Sequence, residues 1–182
     1  MVIITTKESE KTNVMSEYQH VTQPFEPVYD AKSKILILGS FPSVKSRQLG
    51  FYYGHPKNRF WSVLSEIFSE ELSVTVAEKK AMLLRHHIAL YDVIESCDII
   101  GSSDSSVRNA VPADIAVIVE KSNIQAVFTN GRLAGKLYRK YHAEKIDLPM
   151  IELPSTSPAN AAFSKERLVE IWREEIQKEI TV

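Results

Sequence analysis

Cysteine is almost absent from this chain: Cys97 is the only one among 182 residues. A single cysteine excludes an internal disulfide and any metal cage built from several cysteines. Cys97 lies between two polar residues, just after a predicted strand. In a reducing compartment such a thiol is more commonly a small packing residue than a nucleophile, and we interpret Cys97 in this way.

The chain also lacks long apolar runs and a large excess of one charge. It contains no apolar run of membrane length and no charged leader followed by an apolar core, so we expect a soluble cytoplasmic protein. The formal net charge is −1, which excludes a uniformly basic nucleic-acid coat. Any contact with nucleic acid must therefore come from a local patch.

Length and composition fit one globular domain. With 182 residues, 44% of them apolar, the chain can bury a substantial core. The first twenty residues mix polar side chains with few large apolar ones, which predicts a loose segment. We therefore expect a flexible leader over residues 1–20 and a single domain over residues 21–182.

Acidic residues are missing from Ala31 to Ser65, a window that carries six lysines and arginines. Within it lies a long loop, GSFPSVKSRQLGFYYGHPKNRFW, with three consecutive aromatic residues from Phe51 to Tyr53. Aromatic faces beside unopposed positive charge suit a nucleobase attached to a phosphate backbone. A loop of this length inside a compact domain is usually functional or disordered. We interpret the window as the local nucleic-acid patch.

Short apolar runs alternate with helical patterns along the rest of the chain. The runs that we predict to be buried strands are Lys34–Leu38, Ile88–Val93, Ile124–Thr129 and Pro149–Leu153. The stretches that we predict to be helices are Pro56–Phe68, Val76–His87, Pro112–Lys121, Gly131–His142 and a long terminal helix. This alternation predicts an α/β fold with a parallel sheet, and in such folds ligands bind beyond the carboxyl ends of the strands.

Two segments carry a resemblance to a known family. GSFPS with FYYGHPKNRFW, and LPSTSPANAAF before the last helix, are similar to the two motifs of the uracil-DNA glycosylase superfamily, most closely its hypoxanthine-DNA (deoxyinosine) glycosylase branch. HPKNRFW also resembles mismatch-specific uracil glycosylases. The resemblance implies a three-layer α/β/α sandwich with a four-stranded parallel sheet and a role in base excision repair. We expect a monomer without a cofactor, whose partner is double- or single-stranded DNA containing a deaminated base.

The first motif departs from the better-known branches at Phe41, where they place an Asp or Asn. Phe cannot activate water, and the resemblance to the branch points instead to Asn58 as the catalytic residue. A neutral amide is no general base near pH 7, so Asn58 would orient the attacking water or hydrogen-bond the departing purine. Its place in the first turn of a predicted helix leaves open a purely structural role at the helix start.

Three residues are candidates for binding the base. Tyr53 matches the position that stacks on the extruded base in the mismatch-type relatives, and Phe41 could form the opposite wall of the pocket. Asp92 lies at the carboxyl end of the second predicted strand, where uracil glycosylases read the base edge with an amide. An ionised carboxylate only accepts hydrogen bonds, so Asp92 could pair with the N1–H of hypoxanthine. A carboxylate satisfied by loop amides is the alternative.

The remaining candidates would contact the DNA backbone. In the second motif Leu153 replaces the His of the uracil-type relatives, so the electrophilic imidazole is absent. Ser155 and Ser157 can still bind the phosphates that flank a flipped nucleotide. Ser43 and Lys45 in the first motif are the other predicted DNA-binding residues.

Other polar residues near these motifs have ordinary structural explanations. We interpret His55 as a structural histidine in a tight turn, since no cysteine or carboxylate cluster accompanies it. We interpret Thr129-Asn130-Gly131 as a turn rather than a site. The serine-rich stretch Ser102–Asn109 reads as a solvated loop, although it could also form the pocket rim.

The sequence favours a monofunctional glycosylase that extrudes deoxyinosine and hydrolyses its glycosidic bond. Two alternatives stay open: a uracil or mismatch-specific DNA glycosylase, and a non-catalytic protein that binds damaged DNA. The second arises because both usual polar catalytic positions are apolar in this chain. A serine hydrolase is disfavoured, since the sequence has no Gly-x-Ser-x-Gly elbow.

Overall fold

Four parallel strands form the centre of the fold in a computed structural model that describes residues 17–180. In these residues the strands of both sheets are β1 (Gln19–Thr22), β2 (Ile35–Gly39), β3 (Ile88–Asp92), β4 (Ile94–Ile99), β5 (Arg108–Pro112), β6 (Ala126–Asn130) and β7 (Met150–Leu153). The α-helices are α1 (Val44–Leu49), α2 (Phe60–Phe68), α3 (Val76–Arg85), α4 (Ile115–Glu120), α5 (Arg132–Tyr141) and α6 (Lys165–Ile180). Strands β3, β2, β6 and β7 lie side by side in that order. This arrangement confirms the predicted α/β fold with a four-stranded parallel sheet.

Helices cover the parallel sheet, which explains why its strands are continuous apolar runs. Every residue of β2 and β3 is buried, as expected where both faces of a sheet are packed. Helix α3 packs on β3, α5 on β6, and α6 on both β2 and α2. The fully buried Trp172 of α6 meets Phe60 of α2 edge-to-face at 5.9 Å and donates to the carbonyl of Pro154. None of the helices in residues 17–180 is both long and apolar enough to span a membrane.

A second sheet is antiparallel, and the sequence patterns do not predict it. In this sheet β4 lies between β1 and β5. Strand β4 follows β3 after Val93 alone, and the pairing of β4 with β5 contains two register shifts. Strand β5 is mostly exposed. Because these strands have no continuous apolar run, hydrophobic patterning does not distinguish them from loops.

The structure differs from the prediction on both sides of the aromatic loop. Helix α1 lies inside the predicted loop, where Ser43 caps its first turn and Gly50 ends it with a φ of 77°. Helix α2 begins at Phe60 and not at Pro56. Asn58 therefore precedes the helix instead of lying in its first turn, and its Oδ1 accepts from the backbone N–H of Phe60 at 3.0 Å.

The amino-terminal boundary also differs from the prediction. Strand β1 begins at Gln19 and pairs with β4, so the fold includes the end of the predicted leader. The rest of that leader, residues 1–16, lies outside the described residues. After β1 the chain passes over the core. There Phe25 is buried and Val28 forms a bridge with Leu90.

Candidate active site

The carboxyl ends of the parallel strands open into a large cavity. Along this edge the strand register aligns Gly39 with Asp92 and Asn130 with Leu153. The loop after β2 and the segment after β7 form much of the wall, and the cavity volume is about 1150 Å³. All eight residues that the sequence predicts for the site line this cavity: Phe41, Ser43, Lys45, Tyr53, Asn58, Asp92, Ser155 and Ser157.

Asn58 lies just before α2, with the oxygen of its carboxamide held on two sides. Oδ1 accepts from the backbone N–H of Phe60 (3.0 Å) and from the hydroxyl of Thr156 (2.9 Å). A backbone N–H can only donate, so the Asn58 atom facing Phe60 is the oxygen. Nδ2 makes no hydrogen bond to any residue between 17 and 180. With both lone pairs of Oδ1 occupied, the side chain offers the cavity a donor and not an acceptor.

Thr156 and Asn130 complete this arrangement, and neither is among the residues that the sequence predicts for the site. Asn130 ends β6; its Nδ2 donates to the Thr156 hydroxyl (2.9 Å), and its Oδ1 accepts from the Thr156 backbone N–H (3.0 Å). Asn130 thus lines the cavity from the end of a strand and is not part of a turn, contrary to what the sequence had suggested. The signal that could have found it was its place at the carboxyl end of a predicted parallel strand, where ligand-binding residues collect.

Asp92 reaches the cavity from the end of β3 and is almost completely buried. Its Oδ2 accepts from Nε2 of Gln23 at 2.5 Å. Its Oδ1 lies against Gly39, where a Cβ would collide with it, so glycine is required there for space. Burial raises the pKa of Asp92 to about 7, and the hydrogen bond from Gln23 opposes that rise. Within residues 17–180 the carboxylate is therefore held by a side chain and not by loop amides.

Tyr53 and Phe41, the predicted walls of the base pocket, are both half-buried at the cavity surface. One face of the Tyr53 ring stacks on Phe60, with ring centroids 4.0 Å apart. Its φ of 52° is rare for a bulky residue, and such strain concentrates at functional sites. Burial raises the pKa of its hydroxyl, which lies near Asp92. The stacking of either ring on a base stays a prediction.

The other two aromatic residues of the loop belong to the core. Phe51 is buried and stacks on Trp61, with ring centroids 5.8 Å apart. Tyr52 is also buried. Its hydroxyl donates to the backbone carbonyl of Glu26 at 3.0 Å. Of the three consecutive aromatics, Tyr53 is therefore the one that remains a candidate for contacting a base.

Two serine hydroxyl groups are available as phosphate donors in the second motif. The Ser155 hydroxyl accepts from the N–H of Ser157 (3.1 Å), and the Ser157 hydroxyl accepts from the N–H of Ala159 (3.2 Å). These amides and that of Thr156 are thus already engaged. Each serine hydroxyl keeps its own proton, which it can donate to a phosphate oxygen.

Only part of the positive charge in the acid-free window is available to DNA. The guanidinium of Arg59 donates to four backbone carbonyls of the second motif, those of Thr156, Ser157, Asn160 and Phe163. Arg47 donates to the carbonyl of Pro42 (3.0 Å) and Lys34 to that of Ile180 (3.2 Å). Lys45 and Lys57 are exposed. Arg59 therefore ties the two motifs together, and Lys45 stays the predicted phosphate contact.

Three residues outside the predicted site have clear structural surroundings. Nδ1 of His55 accepts from the N–H of Lys57 at 3.1 Å, which fits a structural histidine in a turn. Cys97 is buried within β4. The hydroxyl of Ser102, on the cavity rim, accepts from the N–H of Val44 at 2.8 Å. In residues 17–180 no three His, Cys, Asp or Glu side chains are grouped so that they could hold a metal ion.

Comparisons with known proteins identify relatives of this chain. Residues 26–175 match the model of the uracil DNA glycosylase superfamily. A relative named hypoxanthine DNA glycosylase from Methanosarcina acetivorans is 34% identical over 149 residues, which cover 81% of this chain and 93% of the relative. A relative of the same name from Methanosarcina barkeri is 34% identical over 147 residues, covering 80% and 92%. The solution NMR structure of a Methanosarcina acetivorans protein, described as a candidate uracil DNA glycosylase, has a TM-score of 0.75 and 31% identity, covering 88% of this chain and 98% of that chain.

Proposed function

The chain belongs to the uracil DNA glycosylase superfamily, and we propose that it is a monofunctional DNA glycosylase that removes hypoxanthine from deoxyinosine. One observation carries the proposal: Asn58 lines the cavity with its oxygen doubly hydrogen-bonded, which leaves a neutral donor for a departing base. The two Methanosarcina relatives named for hypoxanthine support the choice of base. The proposal further takes a monomer to be the acting unit.

Asn58 assists the departure of the base in this proposal. The base first leaves the stack, because the glycosidic bond is shielded inside DNA. When the C1′–N9 bond breaks, its electron pair moves onto the purine and positive charge develops on the deoxyribose. The Nδ2–H of Asn58 donates to the purine as negative charge builds up there, which lowers the barrier. Water then bonds to C1′, and the proton it releases neutralises the purine, leaving free hypoxanthine and an abasic site.

Asp92 supplies recognition of the base edge. Because Gln23 donates to Oδ2, Oδ1 is the oxygen left to accept from the N1–H of hypoxanthine. Adenine carries no hydrogen on N1, and its lone pair would face that of the ionised carboxylate. This arrangement favours hypoxanthine over the adenine from which deamination produces it.

The remaining candidates hold the extruded nucleotide in double- or single-stranded DNA. Tyr53 and Phe41 enclose the base, and stacking on an aromatic ring contributes about 1–3 kcal/mol per base. The hydroxyl protons of Ser155 and Ser157 bind the flanking phosphates, together with Ser43 and Lys45 at the other side of the cavity.

Labelled oligonucleotides that carry one hypoxanthine, uracil or xanthine test the proposal. After incubation, alkali cleaves the strand wherever an abasic site has formed. We expect cleavage at hypoxanthine in duplex or single-stranded DNA and none in a matched oligonucleotide with adenine at that position. Borohydride should trap no covalent complex, since a monofunctional enzyme uses water as the nucleophile. Binding without cleavage at any of these bases would contradict the proposal and favour a non-catalytic protein that binds damaged DNA.

Uracil is the second candidate substrate. Its N3–H presents Asp92 with the same kind of donor as N1–H of hypoxanthine, and the related NMR structure is described as that of a candidate uracil DNA glycosylase. Faster cleavage at uracil than at hypoxanthine would support the proposed glycosylase reaction but contradict hypoxanthine as the preferred base.

A further inference from the structure

Thr156 is fully buried, with an exposed fraction of 0%, and each of its polar groups makes a hydrogen bond. Its backbone N–H donates to Oδ1 of Asn130 (3.0 Å), and its carbonyl accepts from the N–H of Arg59 (3.1 Å). Its hydroxyl accepts from Nδ2 of Asn130 (2.9 Å) and donates to Oδ1 of Asn58 (2.9 Å). We call Asn58, Thr156 and Asn130 the amide relay. In the amide relay Thr156, which follows β7, connects Asn130 at the end of β6 to Asn58.

Two backbone N–H groups fix the direction of every hydrogen bond in the amide relay. The N–H of Thr156 can only donate, so the Asn130 atom facing it is Oδ1, and the remaining Nδ2 must donate to the hydroxyl. At the other end the N–H of Phe60 faces Oδ1 of Asn58. The hydroxyl already accepts from Asn130, so its single proton goes to Asn58. A flip of either carboxamide would leave a backbone N–H facing an NH₂ group.

We propose that Thr156 is a positioning residue for the Asn58 carboxamide and that Asn130 orients Thr156. The inference rests on the proposed function, in which Nδ2 of Asn58 donates to the departing purine. Without the Thr156 hydroxyl, the N–H of Phe60 alone would hold Oδ1, and the carboxamide would rotate more freely. A misplacement of about 1 Å at a reacting group can lower a rate about 100-fold. The effect falls on the chemical step, because the phosphate contacts do not depend on this rotation.

Thr156→Val and Thr156→Ser separate the hydroxyl from the rest of the side chain. The first keeps the shape and removes the hydroxyl, and the second keeps the hydroxyl and removes a methyl group. Under single-turnover conditions we expect T156V to release hypoxanthine about 10- to 100-fold more slowly, with affinity for the DNA nearly unchanged. T156S should recover to within a few-fold of the unsubstituted protein. A T156V rate equal to that of the unsubstituted protein would overturn the inference.

Thr129→Val is the matched control. Thr129 is also fully buried and neighbours Asn130 on β6, but its hydroxyl lies 3.6 Å from the sulfur of Met150, outside the amide relay. The same chemical change at the same depth should therefore leave the single-turnover rate near that of the unsubstituted protein. Equal losses in T129V and T156V would trace the effect to buried threonines in general and overturn the positioning role.

Asn130→Asp tests the direction of the hydrogen bonds. An ionised carboxylate has no proton to donate, so the Thr156 hydroxyl would turn its proton toward the new carboxylate and away from Asn58. We expect N130D to release hypoxanthine as slowly as T156V. If T156V does not fold, N130D tests the inference in its place. Release of hypoxanthine by N130D at the rate of the unsubstituted protein would contradict the inferred direction of these hydrogen bonds.

The side-chain NH₂ group of Asn58 gives a readout that does not depend on activity. Its NMR signals, assigned with Asn58→Ala, report the motion of the carboxamide through an order parameter. We expect this order parameter to fall in T156V and N130D but not in T129V. If the unsubstituted protein releases no base, the proposed function fails while this measurement still decides the positioning role. Equal order parameters in the unsubstituted protein, T156V, N130D and T129V would overturn the inference.

Discussion

Asn58 and Asp92 line the same cavity and are held in opposite ways. The neutral carboxamide of Asn58 has its oxygen fixed by a backbone N–H and by the hydroxyl of Thr156. Asp92 is a buried carboxyl group whose hydrogen-bonding partner is the side chain of Gln23. No member of the amide relay titrates near neutral pH. Asp92 does, because burial raises its pKa to about 7.

This difference separates the two tasks of the proposed reaction. In that proposal Asn58 acts on bond breaking and Asp92 on recognition of the base edge. Since Gln23 already donates to Oδ2, a proton taken up by Asp92 goes to Oδ1, where it would oppose the N1–H of hypoxanthine. A change of pH should therefore alter base recognition and leave the catalytic donor unaffected.

Removal of the Asn58 carboxamide should have the largest effect. We expect Asn58→Ala to lower single-turnover release of hypoxanthine about 100- to 1000-fold, the effect typical of losing one donor to developing charge. Affinity for inosine-containing DNA should change little, because Asp92 and the phosphate contacts remain. The loss should also be equal at about pH 6 and about pH 8, since the carboxamide does not titrate. Unchanged turnover would remove Asn58 from the mechanism.

The pH dependence of hypoxanthine release should follow the ionisation of Asp92. The pKa of Asp92 is about 7, so at lower pH the ionised fraction falls, and kcat/KM should fall by about tenfold for each pH unit. Asp92→Asn cannot titrate, and its profile should be flat over the same range. Discrimination against adenine should also weaken at low pH in the unsubstituted protein, since protonated Asp92 can donate to N1 of adenine. A profile of D92N that still falls with acid would assign the titration to another group.

The strands of the parallel sheet could be predicted because burial on both faces demands a continuous apolar run. Residues Ile35–Gly39 and Ile88–Asp92 are buried at every position, and this pattern is visible in the sequence alone. Strands β4 and β5 could not be predicted in this way. Polar residues interrupt β4, β5 is mostly exposed, and their pairing contains two register shifts, so neither strand shows a continuous apolar run or a regular alternation.

The candidate site also contains residues that could be predicted from the sequence and residues that could not. Asn58 and Asp92 could be selected because each lies in a motif or at the end of a predicted strand. The role of Thr156 depends on partners 26 and 98 residues away in the chain, which no local pattern specifies. Arg59 reads in the sequence as a free cation, yet its guanidinium binds four backbone carbonyls. Pairings of this kind follow from the tertiary fold and not from residue type.

Stability measurements can test Asp92 without DNA. A carboxyl group of an unfolded Asp has a pKa of about 3.9, and that of folded Asp92 is about 7. The folded protein therefore keeps this proton to higher pH, and the stabilisation is present at low pH and lost as pH rises toward 7. Relative to the unsubstituted protein, Asp92→Asn should gain unfolding free energy from about pH 4 to about pH 7, by at most about 1.4 kcal/mol per unit of pKa difference. Urea denaturation at several pH values measures this, and a constant difference would contradict it.

Gln23 should give the smallest effect and the sharpest test of how the two sides of the cavity differ. Its hydrogen bond favours the ionised form of Asp92, so Gln23→Leu should raise the pKa of Asp92 further. The midpoint of the pH profile for hypoxanthine release should then move to higher pH. The plateau rate above it should stay near that of the unsubstituted protein, because the amide relay is unchanged. Gln23 also accepts from the N–H of Phe25 at 3.2 Å, so some loss of stability is expected at every pH and does not bear on the comparison. A midpoint that stays in place would mean that Asp92 does not set the profile, and a lower plateau would mean that the two sides of the cavity are coupled.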